Sequence, residues 1–285
     1  MCALLWAVAV VLFKKSGERV SPVPLNLFKG VVGVVLMLLT LLVGGIPFFS
    51  AGYPAADWLV LMASGAIGIG IADSVFFASL NRLGAGRSAI VDCLYSPFII
   101  LGSFIYLREP IGINLLFALA LMTLAIFVGT WKPKRIESAA ELRQIRIGVL
   151  LGVASMLLMA VGIVMAKPVL DRTDPWWATT VRLLGGLVLL AVHGLARHRR
   201  EVRRIFRPGR LWKILVPTSV VGAYLAMFFW IAGMKYTHTT VASVLNQAST
   251  IHILVLATLF LREPLTGRKL IAILLGFAGG VLAAF

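Results

Sequence analysis

An all-α membrane protein of ten transmembrane helices, built as two inverted five-helix repeats, is the fold class that three features of this sequence predict. Sixty per cent of the 285 residues are hydrophobic and only 13 per cent are charged, a balance that soluble domains of this length do not carry. Apolar runs near the ~20 residues needed to cross ~30 Å of hydrocarbon recur along the whole chain. The tetrapeptide Leu107-Arg108-Glu109-Pro110 returns as Leu261-Arg262-Glu263-Pro264, each time closing one such run and opening another.

Taken in order, the runs bounded by charge, Gly or Pro fall at 1–14, 23–45, 57–80, 87–107, 110–131, 147–168, 175–196, 213–234, 239–261 and 268–285. The first is short. About thirteen residues rise ~20 Å, so either Lys14 and Lys15 snorkel from within the membrane or the helix begins further upstream. It has no basic residues before it and no small-residue cleavage site, which separates it from a signal peptide. Sliding the second half back by about 154 residues sets Tyr106 on Phe260, Asp92 on Asn246 and Ala78 on Ala232. With one residue of slippage, Lys14 meets Lys167, Pro22 meets Pro175, Lys29 meets Arg182 and Gly33 meets Gly186. Cations, prolines and glycines matching at one near-constant offset indicate duplication. The repeats are 1–131 and 147–285, joined by a linker at 132–146. Five spans is an odd number, so the second copy enters the membrane from the opposite side. The pairs Ser64/Gly68, Gly148/Gly152 and Gly276/Gly280 have the spacing that lets helix backbones approach closely, although small residues around a central cavity would look the same.

The net charge of +16 would suggest nucleic acid in a soluble chain, but the basic residues here are concentrated between apolar runs. Topology accounts for them and no nucleic-acid partner is implied. Counting Lys and Arg places 21 in the odd-numbered loops and four in the even-numbered ones. The positive-inside rule then puts the odd loops in the cytoplasm of a bacterial-type inner membrane and both termini outside. The richest stretch, Arg197 to Arg210, resembles a juxtamembrane basic segment lying against anionic headgroups. Cys2 and Cys93 sit in apolar runs, and His193, His198, His238 and His252 lack metal-site spacing. No metal, no cofactor and no nucleophile–base constellation is implied, so an enzyme is not expected.

Ionisable groups inside membrane spans are costly and mark either a pathway or a paired structural site. Asp73 lies near the end of the third run, Asp92 near the start of the fourth and Lys29 near the start of the second. All three enter from one membrane face and reach a similar depth, about 10 Å. Lys29 is therefore expected to pair with one or both carboxylates, either as a structural pin or as a proton-coupled site in which the deeper Asp73 titrates. In the second half Arg182 matches Lys29, but Met227 replaces Asp73 and Asn246 replaces Asp92. A guanidinium without a fixed acid suits a substrate carboxylate or phosphate, unless Asp171 or Asp174 folds back onto it. Tyr95, Ser96, Asn246, Gln247 and His252 add uncharged polarity to spans four and nine. Pro97 frees a mid-membrane carbonyl that a neighbour or a wet cavity must satisfy. His252 suits either proton shuttling or a helix-bridging hydrogen bond. Trp6, Phe76, Phe77, Tyr224, Phe228, Phe229 and Trp230 supply aromatic surface to a cavity, to lipid or to neighbouring helices. Glu109 and Glu263 are expected to cap their own turns beside Arg108 and Arg262.

Together these residues resemble the EamA-type transporters of the drug/metabolite transporter superfamily. That family opens each five-helix repeat with a Trp-containing helix ending in Lys, then a Pro-containing turn and a cation in helix two, and ends each fourth helix in an acidic turn. Here the pattern is Trp6, Lys14, Pro22, Lys29 and Glu109, then Lys167, Pro175, Arg182 and Glu263. The departures are Ala7 where glycine usually follows the tryptophan, Lys29 where arginine is commoner, and the short first helix. The family is commonly drawn with cytoplasmic termini, opposite to the charge count. The resemblance implies secondary transport, often export, of a small organic solute such as an amino acid, metabolite or drug.

The expectation is alternating access around a cavity lined by spans two to four and seven to nine, with lipid and substrate as partners, protons as the candidate coupling ion, and no phosphate-binding loop for ATP. The alternative is a flippase-like carrier of a lipid-linked headgroup. Ten helices can enclose a cavity alone while the small-residue faces suit pairing, so a monomer and a homodimer both remain. If the charge count governs orientation, alkaline phosphatase fused after Phe285 will be active in whole cells; an inactive fusion would reverse the topology.

Overall fold

The computed structural model describes residues 1–49, 52–108, 113–130, 139–237, 239–264 and 266–284, and within these the regular elements are all helical. The first half comprises α1 (Cys2–Gly17), α2 (Pro22–Val43) and a long rod made of α3 (Ala55–Gly65), a π-helical segment π1 (Ala66–Ile71) and α4 (Ala72–Leu83). It continues with α5 (Ala85–Asp92), α6 (Tyr95–Leu107) and α7 (Ile113–Thr130). The second half comprises α8 (Ala139–Leu170), α9 (Pro175–Arg197), the short α10 (Arg199–Ile205) and a second rod of α11 (Trp212–Ser219), π2 (Val220–Ala226) and α12 (Met227–Tyr236). It closes with α13 (Thr239–Leu261) and α14 (Gly267–Ala284). Among the described residues six segments, Pro22–Val43, Ala55–Leu83, Ala85–Tyr106, Ala139–Leu170, Pro175–Arg197 and Trp212–Tyr236, are long and apolar enough to cross a membrane, and Leu245–Leu261 is a shorter apolar helix. The chain is a multi-pass membrane protein.

Several helix ends follow from local chemistry. Pro22 and Pro175 occupy first-turn positions, where a missing N–H costs nothing. Asp174 caps α9 by accepting the Trp176 and Trp177 amides at 2.9 and 3.1 Å. α8 begins at Ala139, inside the segment expected to be linker, because Ala-Ala-Glu-Leu-Arg-Gln are strong helix formers with no glycine before Gly148. The rest of that linker at 132–138, together with Glu109 and Pro110, lies outside the described residues. Arg108 and Arg262, equivalent in the duplicated tetrapeptide, both take the left-handed conformation, with φ of 59° and 55°.

Two further features recur at the spacing of that tetrapeptide or within one residue of it. π1 begins at Ala66 and π2 at Val220, 154 residues apart. Lys14 Nζ donates to the Asn81 carbonyl at 3.4 Å, as Lys167 donates to the Met234 carbonyl at 2.7 Å. Each lysine thus ties the first helix of its half to the end of that half's rod. Between the halves, α7 lies along α14 and α2 along α9, while α1 packs on α13 and on the second rod as α8 packs on α6 and on the first.

Close backbone crossings set these contacts. A Cβ on Gly65 would overlap the Arg182 carbonyl, and one on Gly185 would stand 2.6 Å from Met62 Cα. Ser64 adds a 2.6 Å hydrogen bond to the Gly162 carbonyl. Of the small-residue pairs, Ser64/Gly68 meets α8 at Gly162, Gly148/Gly152 meets Leu83 and Val91, and Gly276/Gly280 meets Cys93 and Gln247. Replacing Gly185 by leucine drives side-chain atoms into backbone that cannot rotate away, an overpacking of about 1–3 kcal/mol or more. The melting temperature of Gly185→Leu in detergent is expected to fall well below that of Gly233→Ala, where nothing lies within 4 Å of the added methyl.

Candidate functional site

A cavity of about 830 Å³, including space open to solvent, lies among the helices of both halves. Of the residues singled out by sequence, Asp73, Asp92, Tyr95, Arg182, Asn246 and Gln247 line it; Lys29 and His252 do not. Each position has a structural cause.

Asp73 sits in the first turn of α4, just past π1. The wide π turn leaves carbonyls misaligned for regular helical bonds, and Asn26 of α2 reaches across to donate Nδ2 to the carbonyls of Ile69 and Gly70 at 2.8 and 3.2 Å. One turn along α2, Lys29 forms an ion pair and hydrogen bond with Asp73 Oδ2, both residues being buried. The Lys29 ammonium also lies 5.7 and 5.2 Å from the ring centres of Phe13 and Phe77. Of the two expected carboxylate partners Lys29 takes Asp73 alone. Asp92, the last residue of α5, is not within ion-pair distance, and its Oδ2 is enclosed without a hydrogen-bond partner.

Arg182 is 4% exposed, and its Nε and Nη1 have no hydrogen-bond partner among the described residues. The two acids that might have folded back onto it are engaged elsewhere: Asp174 caps α9 and Asp171 pairs with Lys167. The Gly65 crossing holds the α9 backbone against α3, and Gly68 leaves room for Nη2 beside π1.

Gln247, besides lining the cavity, makes a structural bond. Pro97 has no N–H to give the carbonyl four residues back, at Cys93, and the helix breaks there between α5 and α6. Gln247 Nε2 donates to that carbonyl at 3.1 Å, while Oε1 lies against Gly280 of α14. His252 is neither a helix bridge nor a cavity residue, since its Nδ1 donates to the Ala248 carbonyl of its own helix at 2.7 Å. Glu263 also departs from expectation. It caps the other half's α5, accepting the Ala85 and Gly86 amides at 2.7 and 3.0 Å, with Lys269 Nζ at 3.4 Å. The first amides of α5 have no partner within their own helix, and the carboxylate supplies one. Gly84, with φ of 78°, supplies both the turn and the space, since a Cβ there would stand 2.7 Å from Glu263 Oε1. Glu109 lies outside the described residues.

The rest of the cavity wall includes Trp6 and Trp230 together with Cys2, Met156, Met159, Met227 and the hydroxyl residues Ser243, Ser249 and Thr250. Tyr95 and Trp230 have ring centres 5.5 Å apart. Phe76 and Phe77 belong instead to the core around Phe13, and Phe228 stacks on Trp176. The sequence pointed to Trp6 and Trp230 as aromatic candidates and to Met227 through its match with Asp73; Met156 and Met159, spaced to share one helix face, carried a signal that was not read, and nothing distinguished Cys2, Ser243, Ser249 and Thr250.

At the end of the molecule that holds the 171–174 turn, Arg172 pairs with the buried Asp57, whose hydrogen bond and charge push the guanidinium above its ordinary pKa. Lys235 donates to the Thr173 carbonyl nearby. At the end holding α10, Glu201 accepts the Ser21 amide at 2.8 Å, and Val202 and Ile205 are buried while Arg199, Arg200, Arg203 and Arg204 are exposed.

Residues 1–131 and 146–285 match the EamA-like transporter family. Protein PecM of Dickeya dadantii (strain 3937) is 25% identical over 236 residues, covering 80% of this chain and 75% of its own. The uncharacterized transporter YvbV of Bacillus subtilis (strain 168) is 27% identical over 143 residues, covering 48% of this chain and 45% of its own. The fold is shared with a protein of known crystal structure at a TM-score of 0.68 and 20% identity, covering 99% of this chain and 97% of that one.

Because Gln247 satisfies the carbonyl that Pro97 leaves open, Gln247→Leu is expected to cost about 1–3 kcal/mol. Pro97→Ala restores an N–H at that position, so the penalty should shrink in the double variant. Thermal unfolding of the four-member cycle in detergent measures this, and equal penalties in both backgrounds would refute the assignment.

Proposed function

The chain belongs to the EamA-like transporter family, and from that premise we propose that it is a secondary transporter, working as an exporter, of a small amphipathic organic solute. In this reading ten helical segments cross a bacterial-type inner membrane as two inverted five-helix repeats with the basic loops in the cytoplasm. The 154-residue spacing of π1 and π2, and of Arg108 and Arg262, supports the repeat. So do the matching Lys14 and Lys167 ties.

The observation that carries the reading is the cavity itself, bounded by both halves and containing a buried guanidinium two of whose nitrogens have no hydrogen-bond partner among the described residues. An inward-facing cation that the protein leaves unneutralised is a costly arrangement for a purely structural helix bundle, and it suits a group brought by a ligand. Trp6, Trp230 and the three methionines give the same cavity an apolar side, which fits an amphipathic solute. Alternating access then consists of rocking one set of helices against the other about the glycine crossings at Gly65 and Gly185, where backbones touch with no side chains to interdigitate. Asp73 serves as the coupling carboxylate: it lines the cavity while held by Lys29, so taking up a proton would release it from that cation.

Proteoliposomes loaded with a mixed metabolite pool test this directly. The wild type is expected to move at least one solute down its gradient and faster under an imposed pH gradient. Asp73→Asn should lose the pH-driven part about tenfold or more while keeping downhill exchange. Flux indifferent to both gradient and substitution would leave Asp73 as a structural partner of Lys29, and absence of flux for every soluble metabolite would overturn the transport reading.

A further inference from the structure

We propose that α10 and the arginines around it form a binding site for the headgroup of an anionic phospholipid, in the leaflet that meets this end of the bundle. The site stands apart from the cavity and does not depend on the transport reading.

Local chemistry gives α10 little reason to fold alone. Its seven residues are too few for a stable isolated helix, and Arg199/Arg203 and Arg200/Arg204 are like charges one turn apart, which repel. The bundle holds it instead. Val202 is buried in a cluster with Leu27 of α2 and Leu190 of α9, and Ile205 in one with Phe28. Ser21, the N-cap of α2, donates its amide to one Glu201 oxygen at 2.8 Å and its hydroxyl to the other. Trp212 Nε1 donates to the Ile205 carbonyl at 2.9 Å, and the Phe206 ring centre lies 5.3 Å from that of Phe28. Arg204 Nη2 donates to the Arg19 carbonyl at 3.2 Å, tying the helix to the turn before α2 as well.

These anchors use the apolar residues and the acid, and the cations are left exposed. From Arg197 to Arg210 the sequence holds seven arginines and one acid, Glu201, which is engaged by Ser21 and stands 3.7 Å from Arg204. Arg199, Arg200, Arg203 and Arg207 are exposed, as are Lys15 and Arg19 of the neighbouring turn, with Glu18 between them. Setting a loop's side of the membrane requires basic residues but no fixed geometry. Here the geometry is fixed, and it maintains a repulsion. A phosphate oxygen set between Arg199 and Arg203, or between Arg200 and Arg204, accepts from both guanidinium groups and turns that repulsion into attraction.

The surroundings favour a lipid over a soluble polyanion. α9 is apolar enough to cross the membrane, and Val192 and Leu195 near its end are exposed; His198 alone separates its last residue from the first of α10. Exposed apolar surface for acyl chains therefore adjoins the exposed guanidinium groups, the order in which a phospholipid presents its own parts.

Titrating the full-length protein in detergent with dioleoylphosphatidylglycerol and with dioleoylphosphatidylcholine, and counting bound lipid by native mass spectrometry, tests the site. The anionic lipid is expected to bind about tenfold or more tightly. Arg199→Gln/Arg203→Gln should remove most of that preference. Arg143→Gln/Arg146→Gln, an equal loss of charge from exposed positions of α8, should leave it within about twofold. Glu201→Ala makes the protein more positive while detaching α10 from α2, so a built site predicts about fivefold or more weaker binding, and diffuse charge predicts binding as tight or tighter. Equal affinity of the wild type for both lipids would overturn the proposal without any variant, so a substitution that fails to fold does not protect it. Equal losses in the two arginine pairs, or undiminished binding by Glu201→Ala, would overturn it too. Displacement of the lipid by sn-glycerol 3-phosphate at equal concentration would make the ligand a soluble phosphate ester and overturn the membrane assignment. Flux in proteoliposomes bears on none of these outcomes.

Discussion

Everything in this structure answers to one constraint: inside hydrocarbon, a backbone N–H or C=O that loses its helical partner must find another within the protein. The chain departs from regular helix at π1, at the Cys93–Leu94 break and at the start of α5, and each time a side chain from elsewhere in the sequence makes the missing bond. Asn26 serves π1, Gln247 serves the carbonyl orphaned by Pro97, and Glu263 serves the first amides of α5. The last two cross from the second half to the first, so the interruptions that shape the cavity also bind the halves together.

The same constraint governs charge. Lys29 is tolerable when buried because Asp73 faces it and the Phe13 and Phe77 rings lie beside it. At the two ends of the bundle Arg172 meets Asp57, and Glu201 holds the start of α2, so these two acids join elements. Arg182 and Asp92 are exceptions in the interior. Among the described residues neither has an ion-pair partner, and both line the cavity together with Trp6, Trp230 and three methionines.

On the proposed two-repeat reading, duplication followed by divergence accounts for this asymmetry. The lysine ties, the π segments and the left-handed arginines persist in both halves, and all are backbone or helix-end devices that any copy of the fold requires. The acids did not persist: where the first half has Asp73 and Asp92, the second has Met227 and Asn246, and all four line the cavity. The halves share a frame and differ in the chemistry they present to its centre. The relatives that match this chain are named as a transporter in one case and simply as a protein in the other, so the frame identifies the family while the specificity remains a property of these side chains.

The sequence by itself determined the membrane class, the helical segments, the 154-residue recurrence and most of the cavity's polar residues. Hydrophobic run length, charge placement and the cost of burying ions act locally and leave marks that can be read residue by residue. It was less informative about partnership. That Gln247 stabilises a proline break, that Glu263 caps a distant helix and that His252 bonds its own backbone all depend on which helix lies beside which. Only tertiary packing decided that Lys29 would take Asp73 and leave Asp92 alone. At equal depth both carboxylates were eligible, and the choice turned on the direction in which each side chain left its helix, a matter of rotation about helix axes that no linear spacing records.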